Sequence, residues 1–205
     1  MKLYFFCSFE NERAFIQYMD KKQRILITML ELVVKQGVHA TPISQLAAEA
    51  KVATGTIYYY FENKEQILCE IYKMIRKDFG NVLIRSIDEE LPEVVFKKYW
   101  KDLYQYYITN PIAFHFYEHV AKPPIIPLKL IEETKDYYRK HAEFFWEGVK
   151  NGTLKNMNVT LLVQLAYSNV VAAADLKLNN VIPMTNKQIE DAANASWDAV
   201  RLIKK

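Results

Sequence analysis

The sequence is short of helix breakers. Five glycines and seven prolines are spread over 205 residues, roughly half the usual share. So few turn formers argue against a sandwich or barrel of many short strands. Cysteine is scarcer still. Cys7 and Cys69 are the two present, too few for a disulfide framework and without metal-ligand spacing. A reduced, cytoplasmic protein is the expectation. No apolar run in the sequence approaches the ~18 residues of a membrane span, so no membrane partner is expected. Charge of one sign is lacking too. A net charge of +3 and a pI near 8.6 permit an acidic partner without demanding one, since a domain pI above about 9 is the stronger mark of nucleic-acid binding.

What the chain has is apolar and aromatic residues. They reach 51% and 14%, enough for a sizeable core and far from a disordered composition. Half of the aromatics fall within residues 96–146. The first nine residues, Met1 to Phe9, begin like a secretion signal. Glu10, Glu12 and Arg13 then follow without a small-residue cleavage site, which rejects that reading. Residues 1–18 are expected to be a loosely attached extension or a leader upstream of a true start at Met19.

The breakers sit where helices should begin and end. Residues 20–36 repeat Ile25, Met29, Leu32 and Val33 at helical spacing, and Gly37 follows as a C-terminal cap. Thr41-Pro42 reads as an N-cap and first-turn proline. The short helix after it carries Ile43, Leu46, Ala47 and Ala50 on one face. A turn at Lys51-Val52-Ala53 leads to a second short helix over 54–60, and Asn63 caps a long helix over 63–87. Further helices are expected over 92–109, 111–121, 128–150, 158–178 and from Thr185 or Asn186 to about Lys204. Lys122 to Pro127 and Asn179 to Met184 read as loops. The fold class is therefore all-α, with about nine helices, no strands and no internal repeat.

Two short helices joined by a tight turn and packed on a preceding helix make a helix-turn-helix. Leu46, Ala47, Val52, Ile57 and Phe61 can share its small core. The second helix would then present Thr54, Thr56, Tyr58, Tyr59 and Tyr60 in part. Hydroxyls and the Gly55 backbone suit phosphate contact, and tyrosines can reach base edges.

Residues 24–68 resemble the DNA-binding domain of the TetR family of transcriptional regulators. Arg24-Ile25-Leu26, Gly37, Ala40-Thr41-Pro42-Ile43 and above all Gly55-Thr56-Ile57-Tyr58-Tyr59-Tyr60-Phe61 with Asn63-Lys64-Glu65 carry the resemblance. It implies a homodimeric repressor of a palindromic double-stranded DNA operator. Residues 19–66 would form the helix-turn-helix domain and residues 67–205 a helical domain for effector binding and dimerisation. It further implies that Thr41 caps its helix and touches phosphate, that Tyr58 and Tyr60 lie along the backbone, that Tyr59 faces bases and that Lys64 pairs with phosphate. Lys51 replaces the family's usual glycine. A left-handed backbone there would cost a lysine steric energy, against a possible phosphate contact. Ala53 replaces the usual serine, which leaves Thr54 to cap the recognition helix.

The aromatic segment suggests the effector. Tyr99, Trp100, Leu103 and Tyr107 on one helix, Phe116 on the next, Tyr138, His141 and Phe145 on a third and Tyr167 on a fourth would line a pocket for a small, largely apolar or aromatic molecule. Tyrosine and tryptophan faces would also accept a cation. Leu161, Leu165, Val170, Ala173 and Ala174 could meet Ala193, Trp197, Val200 and Ile203 across a two-fold axis. No cofactor, metal or catalytic residue is assigned. A competing motif is His115-Phe116-Tyr117-Glu118-His119, which reads H-x-x-E-H as in inverted zinc proteases, with Glu132 or Glu133 as a third ligand. It leaves a helical metal-dependent hydrolase as an alternative. A dimeric small-molecule binding protein without specific DNA recognition is the other.

Overall fold

A computed structural model describes residues 20–84 and 91–203. The expected leader, residues 1–18, lies outside the described residues. Ten α-helices are present among the described residues: α1 Lys21–Gln36, α2 Ile43–Glu49, α3 Thr54–Tyr60, α4 Lys64–Ile84, α5 Pro92–Thr109, α6 Pro111–His119, α7 Leu128–Glu133, α8 Arg139–Lys150, α9 Val159–Leu178 and α10 Asn186–Val200. All nine expected helical segments are found there. The one expected over 128–150 is interrupted by a 3₁₀ turn, Thr134–Tyr138.

That interruption has local causes. The buried Thr134 hydroxyl donates back to the carbonyls of Leu130 and Ile131, 2.9 and 3.1 Å away, a bond that competes with helix continuation. The Tyr137 carbonyl then sits against Gly80, so close that a Cβ built on residue 80 would lie 2.1 Å from the oxygen. The tight turn brings backbone to backbone at this point, and glycine alone leaves the room. Neither contact leaves a mark in the periodicity of the sequence.

Capping fixes the helix ends. Asp20 accepts from the amides of Lys22 and Gln23 to start α1, and Gly37, at φ +84°, ends it by donating to Val33. Asn63 accepts from the Gln66 amide while the Gln66 side chain accepts from the Glu62 amide, a reciprocal cap for α4. Thr185 forms a full capping box with Gln188 at α10. That helix stops at Val200, short of the expected Lys204. Residues 201 and 202 instead lie beside 153–155, with Leu154 and Arg201 forming a single antiparallel bridge.

Contacts group the helices into two compact units. The first holds α1–α3, α4 up to Asp78, and Thr109–Thr134 with α6 and α7. Its centre is α1, whose Ile25, Met29, Leu30, Leu32 and Val33 are buried, because α2, α3 and α6 pack around it. The second holds Phe79–Ile108 and residues from Lys135 onward, with α5, α8, α9 and α10. Its core is Phe96, Trp100, Tyr107, Phe145, Leu162 and Ala174. Helix α9 is long and apolar enough, by length and composition, to cross a membrane. It packs on α8 and α10.

Candidate nucleic-acid interface and effector core

The helix-turn-helix is assembled from its buried face outward. Leu46, Ala47, Ile57 and Phe61 are all buried and form its core, while Val52 is partly so. Between α2 and α3 the chain reverses with Val52 N–H donating to the Ala47 carbonyl at 3.0 Å. Lys51 takes φ +53° there, the left-handed conformation that the missing glycine would have adopted without strain. Its side chain is exposed.

Opposite that core, α3 exposes Thr54, Gly55, Tyr58 and Tyr59, the i, i+1, i+4, i+5 pattern of a single helix face. Tyr59 is 81% exposed and Tyr58 56%. Thr56 and Tyr60 flank the face half-buried, with the Tyr60 ring edge-on to Tyr59 at 5.0 Å. A Cβ on Gly55 would meet nothing within 4 Å. The internal structure therefore does not require glycine at this position. Seven helical residues span roughly 10 Å, which fits a major groove about 12 Å wide.

Two expected caps are corrected. Pro42 is the N-cap of α2 and makes no side-chain bond. Thr41 is fully buried, and its hydroxyl donates 2.8 Å to the Gly37 carbonyl. It thereby closes the α1–α2 loop. Ala53 is the N-cap of α3, again without a side-chain bond; Thr54 is the first helical residue rather than the cap.

Lys64 is also turned inward. Its ammonium donates to the carbonyls of Val38 and Thr41 at 2.8 and 2.9 Å, which uses two of its three donors. A lysine at the first position of a helix opposes the helix dipole, and that local conflict was the readable sign of a compensating partner. Gln36 supports the same loop by donating to Ala40 and to the Gln45 side chain. Lys64→Met is expected to lower unfolding free energy by about 1–2 kcal/mol, as loss of charge-assisted bonds to a half-buried group does. Urea denaturation checks it, and an unchanged midpoint would remove the bracing role.

Eight of the nine expected effector residues lie in the second unit: Tyr99, Trp100, Leu103 and Tyr107 on α5, Tyr138 and His141 at α8, Phe145 on α8 and Tyr167 on α9; ring contacts join Tyr99, His141 and Phe145, and separately Tyr107 and Tyr167. Phe116 is buried on α6, in the first unit. The Tyr107 and Tyr167 hydroxyls bond each other. By contrast, the Tyr99 hydroxyl, Trp100 Nε1, Tyr104 hydroxyl, His141 Nε2 and Ser196 hydroxyl are buried without a hydrogen-bond partner. Burial alone pushes the Tyr99 hydroxyl well above its ordinary pKa and lowers His141 to about 4. Both are neutral at pH 7.

Comparison with known proteins covers the chain in two parts. Residues 25–71 match the family model described as bacterial regulatory proteins, tetR family, and residues 93–201 match a tetracyclin repressor-like C-terminal domain. The chain belongs to the TetR family. It is a DNA-binding transcriptional regulator. A helix-turn-helix transcriptional regulator from Haemophilus influenzae is 24% identical over 191 residues, covering 89% of this chain and 96% of the relative. The fatty acid metabolism regulator of Bacillus subtilis is 35% identical over 77 residues, 38% of each chain. A TetR family regulator from Marinobacter aquaeolei VT8 shares the fold with a TM-score of 0.84 at 20% identity, covering 94% of this chain and 100% of that one.

Within this TetR-family fold, six of the nine residues expected at a subunit contact are buried inside the protomer. Val170, Ala173, Ala174, Ala193, Trp197 and Val200 are buried where α9 packs on α10, and Trp197 lies 5.3 Å from the Phe96 ring. The opposite face of α9 is exposed. It presents Leu161, Gln164, Leu165, Ser168, Asn169 and Ala172. Sequence periodicity could not rank the two faces, because α9 is apolar nearly all round.

The H-x-x-E-H segment lies on α6. His115 and His119 stack with ring centroids 5.9 Å apart, but no group of three His, Cys, Asp or Glu side chains converges among the described residues. Glu132 and Glu133 therefore do not complete a metal site with the two histidines. On the same unit the buried Arg76 of α4 donates to the Tyr117 hydroxyl of α6 at 2.7 Å. This tie between α4 and α6 was not foreseen in the sequence.

Proposed function

We propose that the protein is a homodimeric repressor of the TetR type. Each subunit places α3 in the major groove of a palindromic operator, and a small, largely apolar or aromatic effector held in the α5–α8 aromatic core releases it. The observation that carries the reading is the α3 face, with Tyr58 and Tyr59 projecting into solvent beside the open Gly55. Thr54, Gly55, Thr56, Tyr58, Tyr59 and Tyr60 form the DNA contact, with Lys51 at its edge. Exposed tyrosines on a seven-residue helix gain nothing from the fold and have the reach for base edges and phosphates.

The dimer contact belongs to the exposed α9 face around Leu161 (48% exposed) and Leu165 (40%). Two copies of that stripe would meet isologously. A gel shift on the DNA upstream of its own gene, run beside sedimentation, tests both parts. The wild type is expected to sediment as a dimer and to shift that DNA. Leu161→Glu/Leu165→Glu is expected to weaken the dimer by at least about 100-fold, since it removes four half-exposed leucines, two from each subunit, and fully burying one contributes about 1.5–3 kcal/mol, and to lose the shift. A monomeric wild type that still binds the operator would overturn the dimer; no preference over unrelated DNA would overturn the repressor.

A further inference from the structure

We propose that the effector site is built for an uncharged hydroxylated aromatic ring, whose hydroxyl bridges Tyr99 and His141. This rests on the effector-controlled reading above and names its ligand class. Tyr99 of α5 and His141 of α8 stand edge-on with ring centroids 4.5 Å apart. Both are buried, and both end in a polar atom with no partner. An unmade bond at such an atom costs about 1–3 kcal/mol, so two on neighbouring rings call for an occupant that bonds both. The Tyr99 hydroxyl can donate and accept, and the free imidazole nitrogen does either according to its tautomer. One ligand hydroxyl satisfies the pair, donating to the ring nitrogen and accepting from the tyrosine.

The surroundings select the rest of the molecule. Phe96, Phe144 and Phe145 present tilted or edge-on rings to Tyr99 at 5.0–6.2 Å, and His141 meets Phe145 at 5.1 Å. Aromatic edges of this kind accept a flat ring. No charged side chain contributes to the shift of either group, burial being the sole cause for both. A carboxylate or ammonium ligand would enter without a counter-charge and lose its hydration uncompensated. The cation allowed by the aromatic composition is therefore disfavoured.

The test uses the full chain and three probes: 4-propylphenol, propylbenzene and phenyltrimethylammonium. Calorimetric titration and thermal melting are expected to show binding and stabilisation by 4-propylphenol, with the other two at least tenfold weaker. Tyr99→Phe and His141→Phe are each expected to weaken 4-propylphenol at least tenfold. Without ligand, Tyr99→Phe should melt at the same temperature as wild type or higher, because it removes an unpaired polar atom. Equal binding of propylbenzene or the cation, no binding of 4-propylphenol, or unchanged affinity in both variants overturns the ligand class. So does marked destabilisation by Tyr99→Phe, which would mean that the hydroxyl is already satisfied by water. The gel shift described above is run on the same samples. Retained operator binding with failed phenol binding removes only the ligand class, whereas absent operator binding removes the repressor reading itself.

Discussion

Alanine at position 80 is expected to destabilise the protein by about 2 kcal/mol net, in spite of alanine's better helix propensity. The added Cβ would lie 2.1 Å from the Tyr137 carbonyl oxygen and 2.9 Å from its carbon. Both are backbone atoms, so no flexible tip can swing aside. Overpacking of this kind costs about 1–3 kcal/mol and occasionally more, while the helix gains at most about 1 kcal/mol from losing glycine. The clash therefore wins. Urea denaturation of Gly80→Ala against wild type measures it, and a variant of equal or greater stability would show that α4 does not approach the Thr134–Tyr138 turn so closely.

Gly55→Ala is expected to act with the opposite sign on stability and a large effect on binding. Nothing in the protein lies within 4 Å of the added Cβ, so α3 should gain about 0.5 kcal/mol from the better helix former. The same methyl would stand on the face that carries Tyr58 and Tyr59 and keep the helix off the DNA. A fall in operator affinity of about tenfold or more is expected, or about 1.4 kcal/mol. Fluorescence anisotropy with labelled operator, read beside a melting curve, separates the two effects. Undiminished affinity would place the DNA contact elsewhere on the head.

Much of the fold was legible because its punctuation is local. Gly37, Asn63, Pro92, Pro111 and Thr185 each end or begin a helix through their own backbone or side chain, so their effect can be read without knowing what lies across the fold. The recognition helix was legible for a related reason: in Gly55 to Phe61 the core positions Ile57 and Phe61 fix which tyrosines remain outside. What failed depended on distant partners. Thr41 before Pro42 looks like any capping threonine, yet its hydroxyl turns to Gly37. The carbonyls of Val38 and Thr41 that meet the Lys64 ammonium are likewise set by folding and not by local sequence. For α9 the composition was uninformative, because small and apolar residues occupy both faces, and packing on α8 and α10 decided which was buried. Phe116 followed its own helix into the other unit. The orphaned atoms of Tyr99 and His141 could not be read in advance, since an unmade bond has no sequence signature.

The inward turn of Lys64 has an electrostatic corollary. Its charge is largely answered by two peptide carbonyls, so the exposed lysines of the described head, Lys51 in the turn before α3 among them, are the cations left for phosphates. Each phosphate neutralised releases about 0.9 of a condensed counterion from duplex DNA. A lysine already held by carbonyls adds little to that release. Replacing Lys64 should therefore leave the ionic-strength dependence of DNA binding nearly unchanged, whereas replacing Lys51 should flatten it, and discrimination between sequences should rest on the tyrosine-bearing face.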